Sequence, residues 1–166
     1  MATFEQIPGH LVQIAVGSFD AWGVNSEQNI FRFDGKEFRQ VSGKLTQVAV
    51  GGGHLGHGDD VWGINASHEI FQFNSSSQLF DIHIPGSLAQ ILVGSDGGVW
   101  GLNASNEIFR FNPITQRFEE IPGALVQIAV GSADVAWGIN ASNEPFRFNP
   151  TTQRFEQIPG SLVQIA

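Results

Sequence analysis

The sequence predicts an all-β fold, a β-propeller of four-stranded antiparallel blades, on three observations. The segment AWGVNSEQNIFRFDG, residues 21–35, returns three times with small edits, as VWGINASHEIFQFNS, VWGLNASNEIFRFNP and AWGINASNEPFRFNP. Twenty Gly and fourteen Phe, with Val, Ile and Thr plentiful, favour strands joined by tight turns over helices. The repeating unit, 37 residues from Leu88 to Leu125, has room for four short strands and three turns, the content of one propeller blade.

Fixed anchors mark each unit. A Leu (Leu11, Leu45, Leu88, Leu125, Leu162) is followed six residues on by a Gly (Gly17, Gly51, Gly94, Gly131), then by a Trp (Trp22, Trp62, Trp100, Trp137). Nine residues after each Trp comes the first of a Phe pair, such as Phe31 and Phe33, and the unit closes on Phe38, Phe80, Phe118 or Phe155. Length varies in two intervals. Gly to Trp is five, eleven, six and six residues, and the Phe pair to the closing Phe is five, seven, seven and seven. Insertions collect in surface loops, so both intervals contain turns.

In the first unit the strands are LVQIAVG, AWGVN, NIFRF and EFRQV, with half-buried alternation clearest in IFRF. The turns GSFD, NSEQ, FDGK and PGHL use residues that tolerate turn geometry. Small residues in the first strand suit a position where blades crowd around an axis, and the aromatic rings fill the wider gaps further out. One four-stranded sheet cannot bury both its faces. Stacked copies bury each other's.

Composition excludes several function classes. Sixteen acidic against eight basic residues give a net charge of −8, and no basic stripe stands ready for phosphates, so neither nucleic acid nor an anionic membrane is an expected partner. The opening MATFEQIPGH lacks a leader's basic and apolar regions, and no run of about 18 apolar residues occurs to insert into a bilayer. With no Cys, disulfides and thiolate chemistry are out, and a cytoplasmic or non-classically secreted protein is expected. No Ser-His-acid set recurs in the unit, and His10, His54, His57, His68 and His83 fall in different phases of it, so no enzyme and no cofactor are expected.

Taken together, Leu-x-Gln-Ile/Val-x-Val-Gly, Trp-Gly-x-Asn, aromatic-Arg-aromatic and Ile-Pro-Gly resemble the tectonin repeat, the blade of tectonin-type β-propeller lectins, over essentially the whole chain. The resemblance implies glycan binding without catalysis at several similar sites, on methylated sugars or lipopolysaccharide in some members. It also implies a single domain with repeats at about residues 11–44, 45–87, 88–124 and 125–161 and overhangs at 1–10 and 162–166. Family propellers have five or six blades, and this chain has four complete units. FEQIPGHLVQIA at 4–15 reappears as FEQIPGSLVQIA at 155–166. Either the chain is a fragment or engineered piece of a longer propeller, or its end strands are used. They are then used by exchange between copies in a homo-oligomer, the expected partner besides glycans, or by a closure in which they complete a blade.

Sugars present apolar faces and hydroxyl edges, so a receptor needs an aromatic surface beside amides or carboxylates. Trp22, Trp62, Trp100 and Trp137 offer the first; Asn25, Asn65, Asn103 and Asn140, with Glu69, Glu107 and Glu144, offer the second. The same Trp serves equally as packing between blades, and the same Asn as a left-handed turn residue. Asp20, Asp60, Asp96 and Asp134 recur near the Trp, as sugar acceptors or turn caps. Arg32, Arg110 and Arg147, replaced by Gln72 in the second unit, face outward or into an interblade groove, toward a glycan or an acid. The insertion GGGHLGHGDD at 51–60 brings His54 and His57 near Asp59 and Asp60, weak material for a metal site, and no metal is expected. Sequons at Asn65, Asn74, Asn103 and Asn140 follow mostly from the copying of one turn. The competing class is a self-assembling or engineered scaffold, or a protein-interaction module, without sugar binding.

Overall fold

The computed structural model describes residues 6–52 and 58–166. These form four antiparallel sheets of four strands, each a simple meander. The first blade holds β1 (Gln13–Val16), β2 (Ala21–Val24), β3 (Asn29–Phe33) and β4 (Phe38–Lys44). The second holds β5 (Gln47–Gly52), β6 (Asp59–Ile64), β7 (Ile70–Asn74) and β8 (Leu79–Ile84). The third holds β9 (Gln90–Val93), β10 (Val99–Leu102), β11 (Glu107–Asn112) and β12 (Arg117–Ala124). The fourth holds β13 (Gln127–Ser132), β14 (Val135–Ile139), β15 (Pro145–Asn149) and β16 (Arg154–Gln157).

One sequence expectation is corrected. The Pro-Gly step is not a turn in the third blade, where β12 continues through Ile121, Pro122 and Gly123 to Ala124 and absorbs the extra residues as a bulge opposite Glu107 and Ile108. A bulge keeps the strand paired on both sides of the misfit.

The apolar core is divided into three, one portion between each pair of successive blades. Trp22, Ile30, Leu45 and Val48 anchor the first, Trp62, Ile70, Leu88 and Ile91 the second, and Trp100, Ile108, Leu125 and Ile128 the third. Every blade turns a Trp forward and a Phe pair backward. Trp22 meets Phe73 and Phe80 edge-on, with centroids 4.7 and 5.7 Å away. Trp62 meets Phe111 and Phe118 at 4.8 and 6.1 Å, and Trp100 meets Phe148 and Phe155 at 4.8 and 5.8 Å. Edge-to-face contact suits the ring quadrupoles and adds to the burial of large apolar area.

The Trp-Gly pair has a steric cause. A Cβ on Gly23, Gly63, Gly101 or Gly138 would stand 2.3–2.6 Å from a δ-methyl of the Leu that opens the same blade, Leu11, Leu45, Leu88 or Leu125. Leu and Gly are thus the two halves of one contact within the sheet. Along the inner wall the blades approach so closely that a Cβ on Gly51 would meet the Gly94 carbonyl oxygen at 2.4 Å, and one on Gly94 the Ser132 Cα at 2.7 Å. Gln side chains bridge the inner strands. Gln13 donates to the Val48 carbonyl (2.9 Å) and accepts from the Val48 amide (3.0 Å), and Gln47 does the same with Ile91.

The stack is an open arc. Ile14, on the back of the first blade, is 56% exposed, whereas its counterparts Val48, Ile91 and Ile128 are 1%, 0% and 2% exposed. At the other end Trp137 is only half-buried, with no Phe pair in front of it among the described residues.

Candidate functional site: the grooves between blades

The meander puts the β1–β2 and β3–β4 turns of every blade at one end of the strands and the β2–β3 turns at the other. Trp sits in mid-strand, in register with the Arg-position residue of the next strand: Trp22 opposite Arg32, Trp62 opposite Gln72, Trp100 opposite Arg110, Trp137 opposite Arg147. Trp22, Trp62 and Trp100 are at most 1% exposed, and their indole N–H groups have no hydrogen-bond partner. Their rings are therefore interblade packing with only an edge toward the groove.

Over two of these rings lies a guanidinium. Arg32 stands 5.4 Å from the Trp22 centroid, binds Asp20 at 2.9 Å and reaches Gln78 of the next blade at 3.2 Å. Arg110 stands 5.4 Å from Trp100, binds Asp134 of the following blade at 3.0 Å and approaches Gln153 at 3.5 Å. Arg147 lies 5.9 Å from Trp137. Ring and guanidinium attract through the ring quadrupole, while the half-exposed ion pairs contribute under about 1 kcal/mol each. Their chief effect is to fix where hydrogen-bond donors and acceptors point.

The groove between the second and third blades differs. Gln72 replaces the arginine, and a cavity of about 450 Å³ opens, with Asp60, Trp62, Gln72, Val99, Phe111 and Gln116 among its lining residues. Its size falls in the range of small-ligand sites, and it combines an aromatic and aliphatic floor with a carboxylate, two amides and Arg110 of the third blade. A smaller cavity of about 280 Å³ lies along Arg110, Asn112, Glu119 and Gln153.

Trp and the Asn–Glu turn do not converge on one site. Asn25, Asn65, Asn103 and Asn140 lie at the opposite end, each building an Asx turn. Asn65 Oδ1 accepts from the amides of Ser67 and Glu69 while its Nδ2 donates to the Glu69 carboxylate at 2.6 Å, and Asn140 repeats this with Ser142 and Glu144. Asn103 does so with Ser105 and Glu107. Asn25 accepts from Glu27 and Asn29. The left-handed residue is not the Asn but the third after it, namely Gln28, His68, Asn106 and Asn143, with φ of 62–66°. This corrects the expectation of a left-handed Asn, because the side-chain amide holds the turn from its first position.

Two roles were missed from sequence. Gln78, Gln116 and Gln153, at left-handed φ of 54–60°, form the far wall of the grooves; their signal was recurrence two residues before the closing Phe. Asp59, weighed as a metal ligand, accepts hydrogen bonds from the Ser18, Phe19 and Asp20 amides at 2.9–3.0 Å and so clamps the first blade to the second. His54 and His57 lie outside the described residues. On the back rim of the first blade, Arg39 and the Glu37 and Lys36 amides hold the Asp34 carboxyl well below the usual carboxylate range.

With this geometry in view, a sequence profile described as the Tectonin domain matches residues 2–78 and 54–166. The chain belongs to the tectonin family. It is similar to Tectonin-1 of Physarum polycephalum, 40% identical over 53 residues, and to Tectonin-2 of the same organism, 36% identical over 42. These matches take in 31% and 25% of this tectonin-family chain and only 24% and 12% of the relatives' lengths. Solved structures share the propeller fold. RRP9 WD40 repeats match with a TM-score of 0.67 at 9% identity, over 93% of this chain and 53% of that one. YCF48 bound to D1 peptide matches at 0.61 and 13%, over 94% and 56%.

Proposed function

We propose that this chain is a non-catalytic, multivalent glycan-binding protein whose sites are the grooves between blades, at the end bearing the β1–β2 and β3–β4 turns. The observation that carries the reading is the groove between the second and third blades. There Phe111 and the edge of the buried Trp62 ring form the floor, and Asp60, Gln72, Gln116 and Arg110 stand around about 450 Å³ of space. Aromatic surface beside amides and a carboxylate is what a pyranose ring with its hydroxyls requires. In the flanking grooves Arg32, Asp20 and Gln78, and Arg110, Asp134 and Gln153, offer a more polar version, so several weak sites on one body gain avidity on a displayed glycan. Family membership supports the same class.

A glycan array with tryptophan-fluorescence titration by simple and methylated monosaccharides tests it. Gln72→Arg should lay a guanidinium over Trp62 as its neighbours do and cut binding at that groove by tenfold or more. Silence of the wild-type chain across array and titration refutes the reading and favours a protein-interaction scaffold.

A further inference from the structure

Phe19, in the turn between β1 and β2, is 78% exposed, whereas Trp22 at the start of the next strand is fully buried. A lone apolar side chain on a surface needs no explanation, but the setting of this one is unusual. Its backbone is clamped from the second blade, where the Asp59 carboxylate accepts from the Ser18, Phe19 and Asp20 amides at 2.9–3.0 Å. The Gly17 amide closes the same turn on the Asp20 carbonyl at 2.9 Å. With the backbone held, the ring has little freedom left to lose when a ligand covers it.

The ring borders the groove between the first and second blades, where a concavity of about 640 Å³ has Phe19, Asp20, Arg32, Val41 and Gln78 among its lining residues. The polar wall of that concavity is held as firmly as the turn. Arg32 donates from Nε and Nη2 to the two Asp20 oxygens, at 3.2 and 2.9 Å, and from Nη1 to Gln78 Oε1 at 3.2 Å. Gln78 Nε2 in turn donates to the Ser75 carbonyl at 2.6 Å. Only the first blade places a ring here, since the residues three before each Trp are Phe19, Asp59, Gly97 and Asp134.

We propose that Phe19 is the stacking platform of a site in this first groove that takes a neutral pyranose. The site rests on the glycan reading and adds to it an aromatic face that the buried tryptophans do not offer. The apolar C–H face of the sugar lies on the ring, and hydroxyls turned to the wall donate to Asp20 and accept from Arg32. Charge decides the class of sugar. Arg32 is paired with Asp20, and Arg39, which also lines the concavity, is paired with Asp34 and Glu37. Two cations thus face three anions, and a uronate or a sulfated sugar meets a wall with no positive surplus to receive it.

Amide proton–nitrogen NMR spectra test the proposal, recorded during titration with the methyl glycosides of glucose, galactose, mannose and fucose, and of glucuronic acid. In the wild-type chain a neutral glycoside should shift the Ser18, Phe19 and Asp20 amides, and the glucuronide should not. Phe19→Ala and Phe19→Leu should each weaken binding at this groove about fivefold or more, while Phe19→Trp, which restores a ring, should retain it. Because the side chain is exposed, the variants should keep the rest of the spectrum superimposable on that of the wild type, which shows that they are folded. If no resonance of the wild-type chain moves with any glycoside, the glycan reading falls and this site falls with it. If resonances around Trp62 and Gln72 move while those of residues 18–20 stay fixed, or if Phe19→Ala binds as the wild-type chain does, the glycan reading stands and the Phe19 site is overturned. Tighter binding of the glucuronide at residues 18–20 overturns the preference for a neutral sugar.

Discussion

Replacing Trp100 by Ala removes a ring that is fully buried between the third and fourth blades, edge-on to Phe148 and Phe155 and under Arg110. Truncating a buried aromatic costs about 3–5 kcal/mol, of which the aromatic contacts account for about 0.5–1.5 each and the guanidinium for about 0.5–1. Relief of the unpartnered indole N–H returns part of this, at about 1–3 kcal/mol, which centres the net loss on about 2 kcal/mol. For a chain of this size the melting temperature should fall by about 4–8 °C. Trp137→Ala removes the same side chain where no Phe pair receives it among the described residues, and should cost about 1 kcal/mol in the single chain. Urea unfolding of both variants, followed by far-ultraviolet circular dichroism at a concentration where the chain is monomeric, measures the contrast. Equal losses would refute the claim that stability resides in the junctions.

The other predictions address the remaining contacts. Gly101→Ala places a Cβ 2.5 Å from Leu88 Cδ1 and 2.7 Å from the Gln90 carbonyl oxygen, and should destabilise by about 1–3 kcal/mol in chemical denaturation, with Leu88→Ala in the same chain relieving the clash and giving a smaller sum than the two separate losses. Asp59→Ala should speed hydrogen exchange at the Ser18, Phe19 and Asp20 amides by about tenfold or more while leaving the third and fourth blades unchanged. The lowered folded-state pKa of Asp34 means that its stabilisation is whole above the ordinary carboxylate value of about 4 and fades as pH falls below it. Asp34→Asn should flatten that acid limb of a stability-against-pH curve, and an unchanged limb would remove Asp34 from the account.

The architecture was legible because repetition multiplies a weak signal. A single AWGVN segment is ambiguous, but four in fixed register with Leu and Phe anchors impose one strand pattern. Hidden were the facts that depend on neighbouring blades. That Asp59 would cap three amides of another blade, or that Gln78 would face Arg32, depends on distances across 39–46 residues of chain. The Asn–Glu spacing of four residues read as a binding pair or a turn, and in the structure each such pair closes a turn on itself, because a short polar side chain satisfies its nearest amides first. The open second groove turns on the single change to Gln72, which sequence showed without its consequence.

The bridging glutamines recognise a neighbour by its peptide group alone. Gln13 engages both the N–H and the C=O of Val48, and Gln47 those of Ile91. That one coupling tolerates drift in the side chain the adjoining module presents, whereas the Trp and Phe rings that fill the same junction have to change together.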